Sequence, residues 1–203
     1  MQKPHKRMSE EEFLQLEASS DIRHEYVNGE VFAMTRPTLA HQHIVANILT
    51  VLRSQLSGGS CRSYADVLVR IEAANSFYSP DVSVVCNSCD RSSLYIQGPS
   101  IIFEVLSPSS AATDRREKLV AYKQIPSLNA YVIVHQSRKH VAVYRQLDKD
   151  EWTLEELGFK GDLTLEACPG RSIKLSLDEI YEDAEIDDTP DLRVRELQEI
   201  YTW

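Results

Sequence analysis

The sequence predicts an α+β domain built on one mixed sheet, and three observations carry that prediction. A helix-spaced run from His41 to Leu56 is followed by three strand-like segments at 64–71, 80–85 and 100–107. A second helical stretch, Asp114 to Gln124, separates the last of these from AYVIVH at 130–135. Strand, helix and strand in that order make a crossover, so those two strands should be parallel neighbours. The first three strands are joined too briefly for helices and should run antiparallel.

Taken in order, Ser9 followed by Glu12 is a capping box, and EEEFLQLEAS reads as a short amphipathic helix behind it. HEYVNGEVFAM then sets Asn28-Gly29 between two apolar-rich segments, a strong hairpin signal because both central turn residues need positive φ. Pro37 closes the second strand. In the first core helix Ile44, Val45, Ile48, Leu49, Leu52 and Leu56 recur at three and four, and Gly58-Gly59 ends it. The second helix directs Leu119, Val120 and Tyr122 inward and stops at Pro126. AYVIVH is apolar and β-branched, as a buried strand should be. HVAVYRQL and the stretch 152–157 then read as a closing antiparallel meander.

Near the C-terminus Thr189 is a candidate N-cap with Pro190 at the first helical position. Val194, Leu197, Ile200 and Tyr201 share a face of that helix, with Trp203 nearby. The expected organisation is one domain over 1–176, then an acidic linker and helix over 177–203.

At 203 residues and 42% hydrophobic, the chain suits one globular domain with a sizeable core. No apolar run approaches the roughly 18 residues that a membrane helix needs. MQKPHKRMSEEEF carries basic residues with no apolar stretch behind them, unlike a secretory signal, so a cytoplasmic protein is expected. Cys61, Cys86, Cys89 and Cys168 are scattered, which argues against a disulfide framework. Cys86-Asn-Ser-Cys89 is a CxxC without a second ligand pair at zinc-finger spacing, and it follows a strand rather than opening a helix. Incidental thiols are the expectation. The net charge is −9, yet eight acids and no Lys or Arg fall within 178–191, leaving a near-neutral body. Such a charge neither excludes nor supports a phosphate-bearing substrate.

Two carboxylates interrupt strands that otherwise look made for a core. Side chains alternate along a strand, so Asp81, Ser83 and Val85 share one face, as do Ile102, Glu104 and Leu106. If these strands pair, both acids reach one cleft. Pro80-Asp81 also fits ordinary turn chemistry at a strand start. Glu104, inside IIFEVL, must be paired, protonated or metal-bound to offset its lost hydration, and an arginine such as Arg70 would serve. Two carboxylates on a rigid sheet otherwise make a hard-oxygen site suited to Mg²⁺. At such a site an activated water can attack a phosphodiester in line.

With this element order, PD at the second strand and E in the third, the chain resembles the PD-(D/E)XK nuclease superfamily. More narrowly it resembles the Uma-type restriction endonuclease family. The matching pieces are HEYVNGE, AHQHIV, ADVLV, SPDVSVV, FEVLSPSS, DRREKLVAY and AYVIV followed by VAVYR, covering about residues 10 to 160. The resemblance implies a restriction-endonuclease-like fold and metal-dependent endonuclease cleavage of DNA, with Mg²⁺ as cofactor and Mn²⁺ as the alternative ion. Asp81 and Glu104 would hold the metal, and the Val105 carbonyl would add a ligand.

One position departs from the superfamily pattern: the expected strand lysine is Leu106. Lys118 is the expected substitute, since Asp114, Lys118 and Tyr122 fall four apart on one helical face. An ammonium returned to the cleft would orient the attacking water and stabilise charge on phosphate. A surface pair with Asp114 is the alternative. Glu25 and Glu30 share a hairpin face, and either completes the acidic cluster or stays solvated. His41, opening the first core helix, meets a phosphate there or merely caps the helix. The geometry of Asp66 is open, and Tyr122 is expected to be a core-edge aromatic. A catalytically inactive DNA-binding or assembly protein on the same fold is the rival reading. A homodimer would supply two cutting centres, with the C-terminal apolar stripe either at its interface or folded onto its own sheet.

Overall fold

The computed structural model describes residues 7–86, 90, 92–106, 114–148 and 151–186, with residues 114–116 described by backbone alone. The C-terminal helix expected after Thr189, with Val194, Leu197, Ile200, Tyr201 and Trp203, lies outside these residues, as does Cys89.

The chain begins with α1 (Glu10–Ser19), opened by the expected capping box of Ser9 and Glu12. A hairpin follows, β1 (His24–Val27) and β2 (Glu30–Ala33), turning at Asn28 and Gly29 with φ of 51° and 90°. The long helix α2 (Leu39–Leu56) starts two residues earlier than its apolar spacing predicts. Thr38 caps it, accepting from the His41 amide at 3.2 Å.

The segment 64–71, expected to be one strand, is two. β3 (Arg62–Ala65) and β4 (Leu68–Ile71) belong to different sheets because the chain turns at Asp66, whose φ is 55°. β4 pairs antiparallel with β5 (Ser76–Tyr78), and β5 also pairs with β1. The short β7 (Tyr95–Ile96) completes a second sheet of order β2-β1-β5-β4-β7. Phe13 of α1 packs against Tyr26 and Phe77 of that sheet, with ring centroids 5.2 and 5.4 Å apart.

The main sheet joins β3 with β6 (Val82–Val85), β8 (Ile101–Leu106), β9 (Ala130–His135), β10 (His140–Asp148) and β11 (Glu151–Gly158). Their order is β11-β10-β9-β8-β6-β3. β3, β6 and β8 run antiparallel, and β8 runs parallel to β9 after the crossover helix α3 (Asp114–Tyr122). β9, β10 and β11 form the expected closing meander.

Both faces of this sheet are covered. Val82, Val84, Ile101, Phe103 and Val105 face α2 and the hairpin β12 (Asp162–Cys168) and β13 (Arg171–Ser176). Val85, Ile102, Leu106 and Ile133 face Ala121 and Tyr122 of α3. A strand buried on both sides loses its alternation of apolar and polar residues, which is why IIFEVL is almost continuously apolar.

Two readings need correction. Val120, expected inward, is exposed, and Ala121 takes the buried position beside Tyr122. The register of α3 is set by where Tyr122 enters the core rather than by the tally of apolar residues. The second concerns the thiols: Cys61, Cys86 and Cys168 are not scattered in space, and Cys61 is disulfide-bonded to Cys86. Just past position 176, the short α4 (Leu177–Ile180) and its C-cap Tyr181 bury Leu177, Ile180 and Tyr181 in the core shared with α2, ahead of most of the acidic stretch.

Candidate active site

The face of the main sheet that carries Ser83 and Ile102 also carries the two acids. Val82 pairs with Phe103 in antiparallel register, so Asp81, one residue before β6, stands opposite Glu104. The sheet fixes this juxtaposition, because a one-residue slip would turn Glu104 into the opposite core. Asp81 is held at both oxygens. One accepts from the Val105 amide at 2.6 Å, and the other lies 2.9 Å from His41 Nε2. The first residues of α2 thus bring His41 onto the carboxylate.

Glu104 is buried, and its partner is Lys118 rather than an arginine; Arg70 pairs instead with Glu10 at 3.0 Å. Lys118 Nζ lies 3.1 Å from Glu104 Oε1 and 2.8 Å from Glu25 Oε1. Its ammonium is also 5.6 Å from the Tyr78 ring centroid. Tyr122, fully buried, donates its hydroxyl to Glu104 Oε1 at 2.9 Å. Edge contacts with Tyr78 and Tyr131 hold that ring in place.

Of the two hairpin acids, the structure brings Glu25 into the cluster and leaves Glu30 exposed on the cleft wall. The Ser79 amide also donates to Glu25 at 3.3 Å. Which glutamate reaches the centre is decided by the pairing of β1 with β5, invisible in sequence because β5 hides in the three residues before SPD. Asp66 is spoken for by Arg23 at 2.7 Å.

The electrostatics follow from burial. Burial pushes the Glu104 carboxyl up to about 7; Lys118 opposes this, while Asp81 and Glu25 reinforce it. Burial alone would lower the pKa of Lys118, but Glu104 and Glu25 override it and keep the side chain a firm ammonium. Burial also pulls His41 down, and its bond to Asp81 outweighs that to raise it.

A pH dependence follows. Between the ordinary carboxylate range and about 7, folded Glu104 retains a proton that the unfolded chain has released. Its contribution to stability therefore falls as pH rises through that window. Chemical denaturation of wild type and Glu104→Gln should show wild type losing ground to the variant from pH 5 to pH 8. A difference that grows in favour of wild type would contradict this environment for Glu104.

These side chains line an open cleft of about 1520 Å³, shared with Arg7, Arg23, Arg36 and Gln136. Among the described residues, no three His, Asp or Glu donor atoms of this cluster lie within 4.8 Å of one another. The centre thus offers paired carboxylates rather than an all-protein cage. That donor set fits Mg²⁺, which keeps several waters and takes one or two carboxylates.

Residues 10–178 match the family model of Uma2, described as "Putative restriction endonuclease". The chain belongs to the Uma2 family. An uncharacterized protein of Synechocystis sp., slr1290, is 34% identical over 182 residues, covering 88% of this chain and 93% of that one. A second from the same organism, sll1609, is 28% identical over 150 residues, covering 72% and 85%. The fold is similar to the crystal structure of a "putative nuclease belonging to DUF820" from Anabaena variabilis. The TM-score is 0.69 at 18% identity, over 86% of this chain and 97% of that one. The Uma2 chain thus has the mixed α+β architecture that its element order predicts, and the restriction-endonuclease-like fold that the resemblance implies. Among the described residues, no helix is long and apolar enough to cross a membrane.

Proposed function

We propose that this protein is a metal-dependent endonuclease that hydrolyses phosphodiester bonds of DNA. The observation that carries the reading is Lys118, fixed by Glu25 and Glu104 on the sheet face that Asp81 shares. Asp81 and Glu104 would hold Mg²⁺ or Mn²⁺, with the Val105 carbonyl as a further ligand. The cation would supply Lewis acidity and lower the pKa of a water.

The chain's own residues account for the rest. Above about pH 7, where Glu104 ionises, Glu25, Asp81 and Glu104 are three carboxylates around the Lys118 ammonium, so a polyanion meets net negative charge unless a cation is bound. Lys118, charged and held at two points, is placed to orient the attacking water and offset charge on the phosphate. Glu25 keeps that ammonium aimed. Arg7, Arg23 and Arg36 on the cleft wall can engage neighbouring phosphates. A homodimer, giving one centre per DNA strand, belongs to this reading, as does a cytoplasmic location.

Incubation of supercoiled plasmid with the protein, with Mg²⁺ or Mn²⁺ and with EDTA, tests the proposal. Nicked or linear product should appear with metal and vanish with chelator. Binding of DNA without cleavage under any of these ions would favour the rival, an inactive DNA-binding protein. The two hairpin acids give a finer test in the same assay. Glu25→Gln should lower the rate by about 10-fold or more, as losing a group that orients the centre does. Glu30→Gln should leave it nearly unchanged. Equal effects would remove Glu25 from the machinery.

A further inference from the structure

We propose that Cys61, Cys86 and Cys168 form a three-sulfur exchange site, in which the disulfide moves from Cys61–Cys86 to Cys61–Cys168. All three sulfurs lie within 4.8 Å of one another, on the face of the sheet away from the carboxylates. Arg62 pairs with Val85, so Cys61 and Cys86 stand opposite each other one step beyond the β3–β6 ladder, and there they are bonded. Cys168 retains its thiol 3.6 Å from Cys61 Sγ, brought there by the irregularity between Glu166 and Cys168 at the end of the β12–β13 hairpin.

The reaction balances within the molecule. The Cys168 thiol gives up its proton, and the thiolate attacks Cys61 Sγ. The new Cys61–Cys168 bond forms as the Cys61–Cys86 bond breaks. Cys86 leaves with the electron pair and takes a proton. No outside oxidant or reductant is consumed. The displaced sulfur is also received: Cys86 Sγ lies 3.2 Å from the Ala167 carbonyl, an acceptor that only a thiol at that position can use. Cys86 and Cys168 are both partly exposed, so whichever is free is open to thiol-reactive reagents, whereas Cys61 is fully buried and stays in the bond. The site thus changes which thiol it offers for modification. The two forms also tie different elements together, β3 to β6 in one and β3 to the β12–β13 hairpin in the other.

The test uses the full chain, free of reductant, held at pH 8 and quenched in acid before alkylation and peptide mapping by mass spectrometry. Both Cys61–Cys86 and Cys61–Cys168 peptides should appear, with the label on Cys168 in the first form and on Cys86 in the second. Cys86→Ser should form Cys61–Cys168 on oxidation, and Cys168→Ser should hold only Cys61–Cys86. Wild-type mapping stands by itself if a variant fails to fold. Finding Cys61–Cys86 alone at every pH would overturn the proposal. So would a bond to Cys89 in place of Cys168, or a reduced chain that retains one zinc ion on the three thiolates.

Discussion

Asp81→Asn should fold normally and cleave plasmid DNA at least about 10²–10³-fold more slowly than wild type with saturating Mg²⁺. The shape of the site argues for both halves of that result. An asparagine oxygen can still accept from the Val105 amide, the 2.6 Å bond that fastens this residue to β8. The charge is lost, and with it an anionic ligand for the cation and the acid that raises the pKa of His41. Single-turnover cleavage measured beside thermal melting separates the two effects. Activity within a few-fold of wild type would mean that Asp81 is only a turn residue anchoring the strand start.

Lys118→Met should show a large loss of both activity and stability. The lysine is the shared counter-ion of two carboxylates, and its removal takes the ammonium from buried Glu104, leaving it the Tyr122 hydroxyl. Breaking a buried pair from one side costs about 3 kcal/mol or more near neutral pH. The cost depends on pH with a definite sign. Without the ammonium, the already raised pKa of Glu104 rises further, so the carboxyl takes up a proton as pH falls and the penalty shrinks. Unfolding at pH 8 and pH 5.5 should therefore show a wider gap between variant and wild type at the higher pH. Cleavage should fall by about 10²–10³-fold at either pH. Full activity in a folded variant would reduce Lys118 to a partner of the acids, with no part in the chemistry.

Much of this centre can be read in the sequence because strand phase is strict. Alternation puts Asp81, Ser83, Ile102 and Glu104 on one sheet face, and the crossover through α3 makes β8 and β9 parallel neighbours. The Asn28-Gly29 turn is equally legible, since few residue pairs tolerate its backbone. What escaped depends on contacts between segments far apart in the chain. Asp66 breaks an apparently continuous strand because its left-handed backbone carries β4 to another sheet, and nothing in YADVLVRI announces that turn. Glu25 and Glu30 have the same hairpin phase, and only the packing of β1 beside β5 tells them apart. The cysteines are 25 and 107 positions apart in sequence, measured from Cys61, so spacing gives no hint that they meet. The β12–β13 hairpin, by contrast, shows alternating burial at Leu163, Leu165 and Ala167, a pattern of period two present in the sequence.

The central claim is that Asp81 and Glu104 together take up one divalent cation, and electron paramagnetic resonance of added Mn²⁺ tests it most directly. Wild-type protein at pH 8 should remove one Mn²⁺ per chain from the free-ion signal, Mg²⁺ should displace it, and Asp81→Asn should abolish or greatly weaken the uptake. Equal Mn²⁺ uptake by wild type and Asp81→Asn, or none by either, would contradict it.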